Sequence, residues 1–131
     1  MIILDTCSII FLTLTPKKLS RLAKKTIDQA ENIKRLYCCD ISLWEIAMLI
    51  EKKRLDPKME TEEFLQLILQ AHAMQVLSIN SSIAALSVNY PGFSHFDPAD
   101  RLIAATTIHY HASLVTIDKK LQKVPDLSVI W

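Results

Sequence analysis

The stretch MIILDTCSII (residues 1–10) places a carboxylate, Asp5, between two apolar runs. The run IIL before it is β-branched and continuous, which is typical of a strand buried on both faces of a parallel sheet. Asp5 could simply end that strand and begin a turn, because Asp side chains often hydrogen-bond nearby backbone amides. The rest of the chain decides whether Asp5 has a further role.

A second run of the same kind lies near the other end of the chain. LVTI at residues 114–117 is also apolar and β-branched, and it also ends in an aspartate, Asp118. Further short strands are predicted at 35–39, 75–79 and 127–130, and helices are predicted at 18–34, 43–55, 61–73, 81–88 and 98–110. Strands alternating with helices predict an α/β sandwich with a mainly parallel central sheet flanked by helices.

Two helix starts carry capping signals. In SLWE (42–45) we predict Ser42 as the N-cap with Glu45 as its capping-box partner. In DPAD (97–100) we predict Asp97 as the N-cap and Pro98 as the first helical residue. Capping would explain Glu45, but it explains Asp100 less well, because the reciprocal partner is normally Glu or Gln. Each acid taken alone therefore favours a structural role.

The composition is that of an ordinary globular protein, with 50% hydrophobic and 22% charged residues. A length of 131 residues predicts a single domain over residues 1–131. The one glycine, Gly92, excludes the glycine-rich phosphate loops of dinucleotide-binding and P-loop enzymes. The net charge of +1 gives no overall attraction to nucleic acid, although Lys and Arg cluster at 17–25, 52–54 and 119–123.

The three cysteines favour a reducing compartment. Cys7, Cys38 and Cys39 are odd in number, two are adjacent, and all lie in apolar sequence, so we predict buried free thiols. No run approaches the roughly 18 apolar residues that span a bilayer. The N-terminus also lacks the basic region and cleavage site of a signal peptide. We expect a cytoplasmic protein that does not act at a membrane.

Four acids from distant parts of the chain are expected to converge. Open parallel sheets bind ligands outside the carboxyl ends of their strands, where Asp5 and Asp118 are predicted. Glu45 and Asp100 are predicted in the first turns of helices near that edge. Two carboxylates about 4 Å apart repel by roughly 4 kcal/mol at an effective dielectric of 20, so such a cluster needs a cation. Oxygen ligands select Mg²⁺ or Mn²⁺, and these ions suit phosphodiester hydrolysis.

Longer motifs resemble a known family. IILDTCSIIFL (2–12), ISLWEIAMLIEKKRL (41–55) and FDPADRLIAATTIHYHASLVTID (96–118) together look like a PIN-domain protein of the VapC toxin type. The resemblance covers essentially the full length, and DPADRLIAA and LVTIDKKL are its most specific pieces. It implies a PIN-like three-layer sandwich and a Mg²⁺- or Mn²⁺-dependent endoribonuclease. It also implies that the protein is a toxin that cleaves RNA and pairs with a cognate antitoxin protein. A homodimer is implied as well, because dimers are usual in the family.

The resemblance further implies roles for individual residues. The four catalytic and metal-binding acids would be Asp5, Glu45, Asp100 and Asp118. Thr116 would support the site through its hydroxyl, and Asp97 would offer a fifth carboxylate. Basic residues supply most of the sequence-independent affinity for nucleic acid. Candidates for RNA contacts are Lys52, Lys53, Arg54, Lys119 and Lys120.

Two other classes of function stay open on the sequence. A catalytically idle PIN fold could serve as a binding or regulatory scaffold, although four retained acids argue against it. An aspartyl phosphotransfer domain also places Asp after its first strand. A phosphatase of that kind would need a second acid where Cys7 stands, and a receiver would need a phosphorylated Asp, for which Asp40 is a poor candidate.

The histidines and tryptophans are interpreted structurally. His95, His109 and His111 lack the spacing of a zinc site. Trp44 and Trp131 are predicted to be packing residues, because a base-stacking role for Trp44 would require an exposed ring.

Overall fold

The computed structural model describes residues 1–131 and contains a five-stranded sheet with helices on both faces. The strands are β1 (Ile2–Leu4), β2 (Leu36–Cys39), β3 (Gln75–Leu77), β4 (Ser113–Val115) and β5 (Ser128–Ile130). Their order is β3-β2-β1-β4-β5, and every pairing is parallel. The predicted α/β fold is confirmed, and the sheet is entirely rather than mainly parallel.

Six α-helices connect the strands. They are α1 (Thr6–Leu14), α2 (Arg21–Asn32), α3 (Asp40–Glu51), α4 (Thr61–Ala71), α5 (Ser81–Asn89) and α6 (Pro98–His109). Short 3₁₀ turns occupy 16–18, 91–93 and 121–123. The sequence prediction missed α1, because its apolar residues surround the helix and give no one-sided pattern. None of the helices has the length and apolar character needed to cross a bilayer.

Alternating strand residues build the three layers. Leu4, Leu36 and Cys38 pack against α1 to α4 on one face of the sheet. Ile3 and Leu114 pack against α5 and α6 on the other face. Side chains that alternate between two apolar layers explain why these strands read as continuous apolar runs.

The strand order places a crevice between β1 and β4. From β1 the chain moves outward to β2 and β3, and it then returns to β4 on the opposite side of β1. When the chain connections from two neighbouring strands run toward opposite sides of the sheet, a crevice opens at the carboxyl ends of those two strands. The backbone N–H of Asp5 donates to the carbonyl of Val115 at 3.2 Å, so the two strand ends are joined there.

The capping prediction is correct for α6. Asp97 is the N-cap, its side chain accepts a hydrogen bond from the Asp100 N–H at 3.0 Å, and Pro98 is the first helical residue. This geometry satisfies one of the unpaired N–H groups of the first turn.

The capping prediction is wrong for α3. This helix begins at Asp40 with Cys39 as its N-cap, because the chain passes directly from β2 into the helix. Ser42 is therefore the third helical residue and is fully buried. Glu45 lies in the second turn, where no capping role is available.

Four helices end on a left-handed residue that is not glycine. Lys34, Lys53, Ala73 and His111 have φ values of 54°, 58°, 46° and 51° and follow α2, α3, α4 and α6. Paired backbone bonds close each turn; after α4, Ala73 N–H donates to Gln70 at 3.3 Å and Met74 N–H to Leu69 at 2.9 Å. An L-residue in this conformation costs roughly 1–2 kcal/mol.

We expect Ala73→Gly to stabilise the protein. Glycine removes the cost of the left-handed conformation, roughly 1–2 kcal/mol. It also increases the conformational entropy of the unfolded chain, which offsets about 0.4–1 kcal/mol of that gain. The free energy of unfolding should therefore rise by about 0.5–1 kcal/mol, measured by urea denaturation. Ala85→Gly is the matched control, because Ala85 is exposed inside α5. It should lower the same quantity by about 1 kcal/mol, and a loss of stability in both variants would contradict the argument.

Candidate active site

Five carboxylates line one cleft at the carboxyl ends of β1 and β4. The cleft has a volume of about 410 Å³. Its acids are Asp5, Glu45, Asp97, Asp100 and Asp118, and its other lining residues are Thr6, Cys7, Ile10, Leu49 and Ile117. The acids come from the ends of β1 and β4, from α3 and from the start of α6. The fold therefore brings the four predicted acids, and the suggested fifth, into one place.

Asp5 both caps a helix and faces the cleft. One carboxylate oxygen accepts from the backbone N–H of Ser8 at 2.7 Å, which caps α1. The other oxygen accepts from the hydroxyl of Thr116. Only 6% of Asp5 is exposed, and this burial raises the pKa of its carboxyl despite the opposing effect of the two hydrogen bonds.

Thr116 links two of the acids through one hydroxyl group. Its side chain is fully buried, and its Oγ1 donates to Asp5 and accepts from the Asp118 N–H at 3.0 Å. Asp118 is held in turn by the backbone N–H of Lys120, which donates to its carboxylate at 2.7 Å. Asp5 and Asp118 are thus fixed relative to each other by a side chain that does not itself line the cleft.

Glu45 is held by Thr6, which the sequence analysis did not identify, and Thr6 contacts Ser42, which was predicted only as a cap. Thr6 donates to its carboxylate, and Thr6 Oγ1 also lies 3.0 Å from the hydroxyl oxygen of Ser42. Burial raises the pKa of Glu45, with further contributions from Asp97 and Asp5. The position of Thr6 directly after Asp5 was the available signal, and the interpretation of Ser42 as a cap concealed its role.

The carboxyl group of Asp100 lies among three other acids of the cleft. Burial, followed by the negative charges of Asp97, Asp118 and Glu45, raises its pKa to about 7. Burial together with the neighbouring charges therefore favours the protonated form of Asp100.

No positive side chain neutralises these acids. The ion pairs of the chain join Lys24 to Asp28 and Glu31 to His72, and neither pair touches the cleft. The five carboxylates thus form a concentrated, uncompensated negative charge. As the side chains stand, no three His, Cys, Asp or Glu residues form a group that could hold a metal ion.

The predicted RNA-contact residues do not line the cleft itself. Lys52, Lys53, Arg54, Lys119 and Lys120 are exposed. Lys52 and Arg54 line an adjoining groove along α3. Lys53 occupies the left-handed position of the turn after α3.

The cysteines are free, but the burial prediction is wrong for one of them. Cys38 and Cys39 are buried in the sheet, whereas Cys7 is exposed and lines the cleft. Cys7 sits at the start of α1 on the side that faces the acids. Partial desolvation of the thiol by the cleft walls, together with the surrounding carboxylates, raises the pKa of Cys7 to about 11, so the thiolate is disfavoured.

We expect Thr116→Val to destabilise the protein by about 1–3 kcal/mol, because it leaves a buried carboxylate oxygen and the Asp118 N–H without a partner. Urea denaturation at pH 7 measures the effect. Thr116→Ser retains the hydroxyl and removes only a methyl group, so it should retain more stability than the valine variant. Equal losses in both variants would show that packing, rather than the hydrogen bonds, matters at this position.

We also expect the metal-free protein to become less stable as pH rises through about 7. The folded-state pKa of Asp100 lies above its ordinary value of 3.8, so the folded state binds a proton that the unfolded state has released. The stabilisation linked to this proton is fully present below pH 3.8, the ordinary pKa, and is lost as the Asp100 carboxyl ionises in the folded state. Thermal unfolding from pH 5 to 8 with EDTA measures this slope. Asp100→Asn should make the slope shallower, because only the raised pKa values of Asp5 and Glu45 then contribute, and Asp126→Asn should leave it unchanged.

Comparison with known proteins assigns the family. The sequence model of the PIN domain matches residues 2–127. The chain is 33% identical over 132 residues to ribonuclease VapC22 of Mycobacterium tuberculosis, covering 99% of this chain and 98% of that protein. These matches favour the nuclease interpretation over an aspartyl phosphotransfer domain.

Solved structures show the same fold. A structure of VapBC2 from Rickettsia felis bound to a promoter DNA fragment matches with a TM-score of 0.75 and 17% identity, covering 98% of this chain and 97% of that one. DNA-bound VapBC from Salmonella typhimurium matches with a TM-score of 0.67 and 18% identity, covering 98% and 95%. The chain belongs to the PIN-domain family and is related to VapC-type ribonucleases.

Proposed function

We propose that this protein is the toxin of a toxin–antitoxin pair, an endoribonuclease that hydrolyses RNA phosphodiester bonds with Mg²⁺ or Mn²⁺. The observation that carries the proposal is the cleft, in which five carboxylates lie together without a cationic partner. Mutual repulsion among the carboxylates of such a cluster opposes folding unless a bound cation neutralises them. The relation to a ribonuclease supports RNA as the substrate.

The donor atoms of the cleft suit a hard divalent ion. Apart from the Cys7 sulfur, every side-chain polar atom that lines it is an oxygen. Oxygen donors select Mg²⁺ or Mn²⁺ over zinc or copper, which prefer nitrogen and sulfur. When bound, such an ion would activate water and stabilise charge on the phosphate. Because no coordination set is ready-made, the carboxylates must rotate toward the ion.

The acids differ in how firmly they are held, and this suggests their roles. Thr116 sets the spacing of Asp5 and Asp118, so after small rotations of their carboxylates these two acids would hold the ion from neighbouring positions. Asp100 would join them after losing the proton that its raised pKa retains. Glu45, oriented by Thr6, would complete the site or orient the attacking water. Asp97 keeps its capping role and adds negative charge.

The macromolecular partners belong to the same proposal. Lys52, Lys53, Arg54, Lys119 and Lys120 are exposed and would contact RNA phosphates. The matching solved structures include VapBC complexes and another toxin–antitoxin complex, which supports a cognate antitoxin as the second partner. The homodimer, the single domain over residues 1–131 and the cytoplasmic location stay predictions.

Replacing an acid by its amide tests the proposal without unfolding the chain. Asn caps helices as well as Asp does, and the Thr116 hydroxyl can accept from the Asn amide instead of donating to a carboxylate, so Asp5→Asn should keep both α1 and the link to Thr116. We expect Asp5→Asn and Asp100→Asn each to lower Mn²⁺-dependent RNA cleavage by at least about 100-fold, as loss of a group acting directly in the chemistry does. Cleavage of labelled RNA after metal-free purification is the measurement.

Asp126→Asn is the control for that experiment, because Asp126 precedes β5 at the opposite edge of the sheet. It should cleave RNA as the parent does. Calorimetric titration with Mn²⁺ separates a nuclease from an idle scaffold, since a scaffold has no reason to bind the ion. Full cleavage by Asp5→Asn, or absence of Mn²⁺ binding by the parent, would refute the proposal.

A further inference from the structure

Trp44 is exposed next to the acidic cleft. The sequence analysis interpreted it as a packing residue, and that interpretation is wrong, because 58% of Trp44 is exposed. The inward face of α3 is instead formed by Ser42 and Ile46, both fully buried. Single exposed apolar side chains are common at protein surfaces, and what distinguishes Trp44 is its place in a groove that adjoins the acidic cleft.

A groove along α3 joins Trp44 to the cleft. The groove has a volume of about 190 Å³. Its lining residues are Trp44, Glu45, Met48, Leu49, Lys52 and Arg54. Glu45 and Leu49 line the acidic cleft as well, so the two depressions share a wall. A strand that enters the cleft can therefore continue along this groove.

The side chains that line the groove change from aromatic to positively charged along its length. Trp44, Met48 and Lys52 follow one another at four-residue intervals and form a stripe about 12 Å long on one side of α3. Lys52 and Arg54 take part in neither ion pair of the chain. From the carboxylates outward, the groove thus offers an aromatic ring and then two free positive charges. Aromatic rings combined with a positive groove are the features that bind single-stranded nucleic acid.

We infer that Trp44 stacks on an unpaired base of the RNA substrate beside the scissile bond, while Lys52 and Arg54 contact phosphates of the same strand. This inference rests on the proposed function, and it specifies the substrate as single-stranded RNA at the cleavage site. Bases within a duplex have no free face to offer Trp44. Stacking tolerates any base, so Trp44 would position the strand and not read its sequence.

Binding to a cleavage-deficient protein tests the inference. In an Asp5→Asn background, we expect Trp44→Ala to weaken binding of a fluorescein-labelled single-stranded RNA pool by roughly 5- to 150-fold, the effect of losing one stacked base. Trp44→Phe should retain most of the affinity, whereas Trp44→Leu should lose as much as Trp44→Ala. The fold should survive, since Trp44 is largely exposed. Fluorescence anisotropy is the measurement.

Ile33→Ala is the matched control. Ile33 is 66% exposed and precedes β2, at the edge of the sheet opposite the cleft. It should bind RNA as the Asp5→Asn parent does. A Trp131→Phe background leaves Trp44 as the only tryptophan. Its fluorescence should then be quenched by the single-stranded pool and not by a duplex.

The outcomes separate this inference from the proposed function, because cleavage by the chain with Asp5 intact is measured in parallel. If that chain cleaves RNA but Trp44→Ala binds the pool as tightly as the parent, stacking by Trp44 is refuted and the nuclease stands. If the chain with Asp5 intact does not cleave RNA, the proposed function fails and this inference fails with it. If Trp44→Ala instead weakens association with the product of the neighbouring gene and leaves RNA binding unchanged, the groove is a protein-docking surface.

Discussion

The hydrogen bond from Thr116 to Asp5 joins the ends of the two central strands, and the geometry of the cleft depends on it. A buried carboxylate is stable only when its oxygens find donors. Asp5 obtains one donor from the first turn of α1 and the other from the residue after β4. The same bonds that make burial of Asp5 tolerable also fix its position relative to Asp118. The two hydrogen bonds to Asp5 therefore serve both the stability of the fold and the geometry of the cleft.

Much of this arrangement follows from local sequence rules. An apolar β-branched run that ends in Asp predicts a buried parallel strand, and parallel strands expose their carboxyl ends at one edge. The pattern of apolar runs therefore predicts that Asp5 and Asp118 lie at the same edge of the sheet, whereas the pairing of β1 with β4 is visible only in the structure. The DPAD motif predicts the start of α6 equally well, because an N-cap and a proline at the first helical position act within a single turn.

The remainder depends on tertiary contacts that a single sequence does not display. Ser42 is buried and Trp44 is exposed because α3 begins at Asp40, directly after β2. The SLWE capping motif instead predicts that this helix begins after Ser42. The predicted ends of α2, α3, α4 and α6 lie too late in the chain for a related reason. The turns after α2, α3, α4 and α6 use Lys, Ala and His in the left-handed position, so the usual glycine signal is missing.

Most of those glycine-free turns lie on the far side of the sheet from the acidic cleft. Three of them, at Lys34, Ala73 and His111, lie two residues before the first residue of β2, β3 and β4, at the amino ends of the strands. The repulsion among the acids is confined to the carboxyl ends. Substitutions in these three turns can therefore change the stability of the fold without altering a side chain of the cleft, whereas substitutions of Asp5 or Thr116 alter both.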